Sequence, residues 1–208
     1  ELDRELDRRG HRFVRYADDI VIFVRSERAG ERVMHSVSHF IEGRMRLKVN
    51  TEKSKVRGPD EGNFLGFRLE LLEDGATAVL LSDRTIKRAL SRIRELTPRN
   101  WGGSLQSCIL RLNRYLQGWF GYFGVCALSA RYKLHKLDGR ARRRLRAIKL
   151  KQWKSKRTIA RQLCRMRPSR KVWHNVYKNR RDVWNLSLDG VVNYRLNNQW
   201  FHEQGFIA

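Results

Sequence analysis

The chain has 208 residues, and 45 Lys and Arg against 21 Asp and Glu give it a formal charge of +24. Such an excess points to a polyanionic partner, with nucleic acid as the first candidate. A membrane is set aside because there is no run of about 18 apolar residues and no secretory signal. Three widely spaced cysteines, Cys108, Cys126 and Cys164, offer neither a disulfide framework nor a zinc pattern and read as reduced, buried thiols.

Glu1 to Arg9 is charged and helix-favouring. It runs directly into two short strand-like segments, Phe13 to Tyr16 and Ile20 to Val24, rich in β-branched and aromatic residues. Strands this close form a hairpin with Tyr16-Ala17-Asp18-Asp19 at its tip. Two like charges about 4–5 Å apart at a dielectric of about 20 repel by roughly 3–4 kcal/mol. A cation beside them relieves that repulsion, and Mg²⁺ suits one or two carboxylates plus phosphate oxygens. Asp-Asp alone is ordinarily a solvated turn. The apolar strands on both sides favour the metal reading here.

Val33, Val37, Phe40 and Ile41 mark one face of a helix from Ala29 to Met45. His35 and His39 have i, i+4 spacing on it, but no third ligand accompanies them. Arg46 to Val56 alternates and predicts a strand, and Gly58 to Gly62 a turn. Phe64 to Leu72 and Ala76 to Leu81 predict a second hairpin across Glu73-Asp74-Gly75. At Ser82-Asp83, a good N-cap, the pattern becomes helical. Thr85 to Leu96 is one helix, and Leu105, Ile109, Leu112, Leu116 and Phe120 line a longer one. Gly118, Gly121 and Gly124 then allow a close backbone approach or end that helix. A third helix is predicted from Leu137 to Gln152, and the Trp- and Asn-rich stretch from Ser169 reads as a small appended module without clear periodicity.

From Arg131 to Arg181 there are 21 Lys or Arg and one acid, Asp138. Leu134, Leu145, Trp153, Leu163 and Trp173 lie in the same stretch, more apolar surface than a solvated tail requires, so it reads as helices with a basic face. On a helix Arg142, Arg146 and Lys149 share one face, while Leu145 and Ile148 lie on another. Arg143, Arg144, Lys151, Lys154, Lys156 and Arg157 extend the basic surface, and all nine cations are candidate nucleic-acid contacts.

Five blocks in order resemble the reverse transcriptase/maturase proteins of group II introns. Tyr16 to Asp19 resembles the reverse-transcriptase signature, Leu47 to Lys55 the next block of the palm, and Phe64 to Phe67 the primer grip. Leu112 to Phe123 resembles the maturase-specific domain, and Leu137 to Arg146 with Lys151 to Lys154 its basic end. The resemblance implies an α+β fold. Residues 1–81 would be the later part of a palm, 82–168 a helical thumb/maturase domain, and 169–208 a basic extension, a candidate DNA-binding module.

It also implies roles. Asp18 and Asp19 would be catalytic ligands of a two-metal Mg²⁺ site completed by an Asp upstream of Glu1, so residues 1–208 alone are expected not to polymerise. Lys53 would neutralise or protonate a phosphate. Phe64, Leu65 and Gly66 would hold the primer, and Tyr16 and Ala17 would border the nucleotide pocket. The implied partners are group II intron RNA, a DNA target and primer, and deoxynucleotide triphosphates. The implied setting is the bacterial cytoplasm at the nucleoid, or an organelle. The competing readings are a splicing-only maturase and a reverse transcriptase of a diversity-generating or defence system. No Cys-containing or His-Asn-His endonuclease module is evident after residue 170.

Overall fold

The structure, a computed structural model, describes residues 1–126, 130–178 and 182–207. They form two compact units, Glu1–Ser82 and Asp83–Ala208. The fold is α+β.

The first unit starts with helix α1, Leu2–Arg8, which buries Leu2 and Leu6. Strands β1, Arg12–Tyr16, and β2, Asp19–Phe23, pair antiparallel, with Phe13 opposite Ile22 and Tyr16 opposite Asp19. The two-residue alternation sorts the hairpin into two faces. Phe13, Ile20 and Ile22 pack on Leu2, Leu6 and Val37. Val14 and Tyr16 point outward, 47% and 64% exposed. Helix α2, Glu27–Gly43, begins two residues before the predicted start because the Ser26 side chain accepts a hydrogen bond from the Ala29 N–H. Its apolar stripe, Val33, Val37, Phe40 and Ile41, closes this small core.

The strand predicted over Arg46 to Val56 does not form. Alternation cannot hold a strand without a partner, and Asn50 turns the chain instead. Its side-chain oxygen accepts from the Lys53 N–H at 3.1 Å and its carbonyl from the Ser54 N–H at 2.9 Å. Val56 then lies against Gly30, where a Cβ would meet Val56 Cγ1 at 2.5 Å. The second hairpin, β3 Phe67–Leu71 and β4 Thr77–Leu81, is shorter than predicted. Phe64 is excluded from β3 by a tight turn: Leu65 and Gly66 have φ of 50° and 88°, and Phe64 and Phe67 exchange N–H···O bonds of 2.9 Å. Two positive φ values in a two-residue loop define a type I′ turn, which needs Gly at its second position.

The second unit is helical. It comprises α3 Asp83–Leu96, α4 Leu105–Phe123, a 3₁₀ turn Gly124–Cys126, α5 Arg131–Gln152, α6 Lys156–Met166, α7 Arg170–Lys178, and the short α8 Val183–Leu186, α9 Gly190–Arg195 and α10 Asn198–Glu203. Helix α5 starts six residues before the predicted Leu137, and Lys133 in its added turns pairs with Asp83 at 2.8 Å. Gly118 and Gly121 lie inside α4 with open space around them, so neither marks a close approach.

The stretch from Ser169 was opaque in sequence because its helices are too short to show a period. Side-chain caps start them: Asp182, Asp189 and Asn197 accept from N–H groups of α8, α9 and α10. Val172, Val176, Leu186, Val192, Leu196 and Phe201 share one core with Leu105, Leu112, Leu145 and Leu163. Buried Asn113 of α4 ties down the C-terminal end by donating to the Gly205 carbonyl at 2.6 Å and accepting from the Ile207 N–H at 3.2 Å.

Candidate catalytic hairpin and nucleic-acid interface

Tyr16 and Asp19 close the first hairpin, and Ala17-Asp18 forms its two-residue tip. Ala17 sits at φ 54°, a left-handed conformation that favours glycine and costs an L-residue about 1–2 kcal/mol. All four residues are exposed. In a chain this basic, neither Asp18 nor Asp19 joins an ion pair among the described residues. Adjacent carboxylates left open to water are a donor set that suits a hard cation. No group of three or more His, Cys, Asp or Glu that could hold a metal forms among the described residues. Lys53 is exposed in the Asn50 turn and has no ion pair with either Asp. Phe64, Leu65 and Gly66 make up the type I′ turn, and the Gly66 carbonyl accepts from the Ser82 N–H at 3.0 Å.

The nine cations singled out in sequence divide into two kinds. Arg142, Arg143, Arg144 and Arg146 are half-buried and used inside the domain. Arg142 pairs with Asp138. Arg143 lies 3.8 Å over the Trp184 ring and donates to the Trp184 carbonyl at 3.4 Å. Arg144 donates from Nε to Thr97 Oγ1 at 2.5 Å and from Nη2 to the Arg94 carbonyl at 3.2 Å. Arg146 donates to the Leu196 carbonyl at 2.9 Å and lies over Phe201.

Several of these carbonyls are the orphan acceptors at helix C-termini, where cations are favoured. Arg195 does the same for α6, donating to Leu163 and Arg167 carbonyls at 2.9 and 2.8 Å. Burial pushes the Arg146 guanidinium down to about 10, and it pushes Arg143 and Arg144 down as well, helped by neighbouring arginines. Asp138 is pushed up by burial, against the pull of Arg142. The helical face shared by Arg142, Arg146 and Lys149 is thus turned inward, because charged side chains with long stems can cover a core while their heads reach carbonyls.

Lys149 lies 5.6 Å from the Trp153 ring and is half-buried. Lys156, at the start of α6, is half-buried too. Lys151, Lys154 and Arg157 are exposed, and Arg161 and Arg165 continue from Arg157 along α6 at i, i+4 spacing, also exposed. That stripe was readable in the sequence but was followed only as far as Arg157. Cys108 and Cys126 are buried and Cys164 half-buried, and burial pushes the Cys108 thiol up to about 11.

One unit presents an open carboxylate hairpin, and the other a helical bundle with an exposed stripe of cations. Residues 1–69 match the reverse transcriptase (RNA-dependent DNA polymerase) family, and residues 86–168 match the group II intron, maturase-specific domain. The chain belongs to the group II intron reverse transcriptase/maturase family. The first match supports RNA-directed DNA polymerase activity, and the pair implies binding of intron RNA and nucleic-acid substrates. No significant match to a curated protein was found. No helix among the described residues is long and apolar enough to cross a membrane.

Proposed function

We propose that Asp18 and Asp19 are Mg²⁺ ligands of the polymerase site, and that Lys151, Lys154, Lys156 and Arg157 belong to the surface that binds group II intron RNA during splicing and its copying into target DNA. The observation that carries the catalytic half is the open pair: two adjacent carboxylates at a hairpin tip, in no ion pair among the described residues of a strongly basic chain. Bound there, with a further carboxylate of the polymerase, Mg²⁺ would supply the charge that activates a primer hydroxyl and holds a leaving pyrophosphate. The strained tip holds Asp18 next to Asp19 on a rigid two-strand support.

Tyr16 and Ala17 would border the nucleotide, the Phe64-Leu65-Gly66 turn would support the primer, and Lys53 would meet a phosphate. Arg142, Arg143, Arg144 and Arg146 are assigned to holding the helical domain together, since their donors already meet carbonyls, a carboxylate and aromatic rings.

The test is primer extension by the full-length protein on an RNA template with Mg²⁺ and deoxynucleotides. Asp18→Ala is expected to abolish extension while RNA binding, read by fluorescence anisotropy, stays unchanged. Extension that persists in Asp18→Ala would remove the metal from this hairpin.

A further inference from the structure

Five arginines converge on Trp184. Arg143 lies 3.8 Å, Arg99 5.0 Å and Arg144 5.7 Å from its ring, while Arg94 and Arg140 line the cleft beside it. The cleft is walled by α3, the Pro98–Arg99 loop, α5 and α8, and has a volume of about 980 Å³. A smaller one of about 390 Å³ adjoins it and shares Arg99, Arg144 and Trp184.

The guanidiniums form two tiers. Half-buried Arg144 lines the cleft from within, and Arg94, Arg99 and Arg140 form its exposed rim. Two carboxylates line the clefts, and both have partners: Glu95 pairs with Arg92 at 2.8 Å, and Asp182 accepts from the Asn185 N–H at 3.1 Å. None of the ion pairs among the described residues engages Arg94, Arg99 or Arg140.

Like charges concentrated this way repel one another: burial first, and then the neighbouring arginines, push the Arg143 and Arg144 guanidiniums down. A fold that keeps Arg94, Arg99 and Arg140 together at one cleft, outside every ion pair among the described residues, leaves them open to an anion from outside. Planar guanidinium forks match phosphate oxygens bidentately, and an aromatic ring beneath them fixes their planes. Three exposed guanidiniums along one cleft suit the repeated phosphates of a strand.

We infer that the cleft between α3, α5 and α8 binds the phosphodiester backbone of a nucleic-acid strand, with Arg99 and Arg140 gripping successive phosphates beside Trp184, whose ring the structural Arg143 and Arg144 hold in place. This rests on the nucleic-acid reading above and adds a second, separate place of contact, away from the exposed stripe on α6. RNA and DNA share the chemistry recognised here.

The experiment measures binding of the whole chain to a fluorescein-labelled 12-nucleotide RNA, and to its DNA counterpart, from 50 to 300 mM salt. Arg99→Gln with Arg140→Gln is compared with a charge-matched pair, Arg28→Gln with Arg32→Gln, on exposed turns of α2. The cleft pair should weaken binding about tenfold at 100 mM salt and flatten the log–log salt slope by about 1.4, two phosphates at about 0.7 each. Circular dichroism melting should not change. Arg99 and Arg140 should resist modification by p-hydroxyphenylglyoxal only in the complex. Tighter binding of RNA than DNA names RNA as the occupant, and equal binding names the backbone alone. Full modification of both arginines in a complex that still forms would overturn the cleft, as would equal losses in the two pairs, leaving the general reading intact. No binding of either oligomer by the unmodified chain would overturn both.

Discussion

Arginine is the residue on which this molecule turns, and its meaning depends on what each guanidinium touches. Arg144 donates to Thr97 and to the Arg94 carbonyl at the end of α3. Arg144→Ala strands those acceptors and should cost about 2–3 kcal/mol of stability. Arg144→Lys should recover little, because an ammonium cannot fork. Thermal unfolding checks both, and a loss below about 0.5 kcal/mol, the size of an ordinary surface substitution, would refute the capping role. Glu5 shows the opposite sign of charge. Hydrogen bonds from Arg8, and then Arg9, hold its carboxyl down to about 2, from an ordinary 4.5. Between those values the unfolded chain binds the extra proton, so stability rises with pH. The contribution is fully present above pH 4.5 and is lost as pH falls toward 2. Acid titration of the α1–hairpin unit, compared with Glu5→Gln, should show the variant with the shallower acid limb.

At the scale of elements, the sequence declared what short-range pattern controls. Runs of β-branched and aromatic residues placed the first hairpin and its Asp18–Asp19 tip, 3.6-residue periodicity placed α2 and α4, and the Ser82-Asp83 cap placed the start of α3. It misled where pairing or context decides. Arg46 to Val56 alternates, but Asn50 captures its own backbone before any strand partner can. The basic face of α5 looked solvated because Arg and Lys usually are; nothing local says that neighbouring helices present bare carbonyls to it. The cleft around Trp184 was illegible for the same reason, since Arg99, Arg140 and Trp184 lie far apart in sequence. Gly30, unremarked in sequence, has a test of its own. A Cβ there meets a stiff Val56, so Gly30→Ala should destabilise by about 1–3 kcal/mol. Adding Val56→Ala should return part of the loss, and a double-mutant cycle with no coupling would show that the contact carries no energy.

For the molecule as a whole, the charge of +24 is two populations under one number. Exposed Lys151, Lys154 and Arg157 face water and should govern affinity for RNA. Replacing all three with Ala should flatten the salt slope by about 2, with an unchanged melting temperature. An unchanged slope would place the phosphates elsewhere. The half-buried population answers to different physics. A guanidinium seated on a helix-end carbonyl is a short charge–dipole contact, and small ions in bulk solvent hardly reach it. Release of ligand and loss of shape therefore fall in separate ranges of ionic strength. A brine strong enough to release the chain from a heparin column would elute a helical domain still closed around its own arginines. The same residues explain why a denaturant that is itself a guanidinium should undo this domain out of proportion to urea: it competes, ion for ion, for the very carbonyls those arginines occupy.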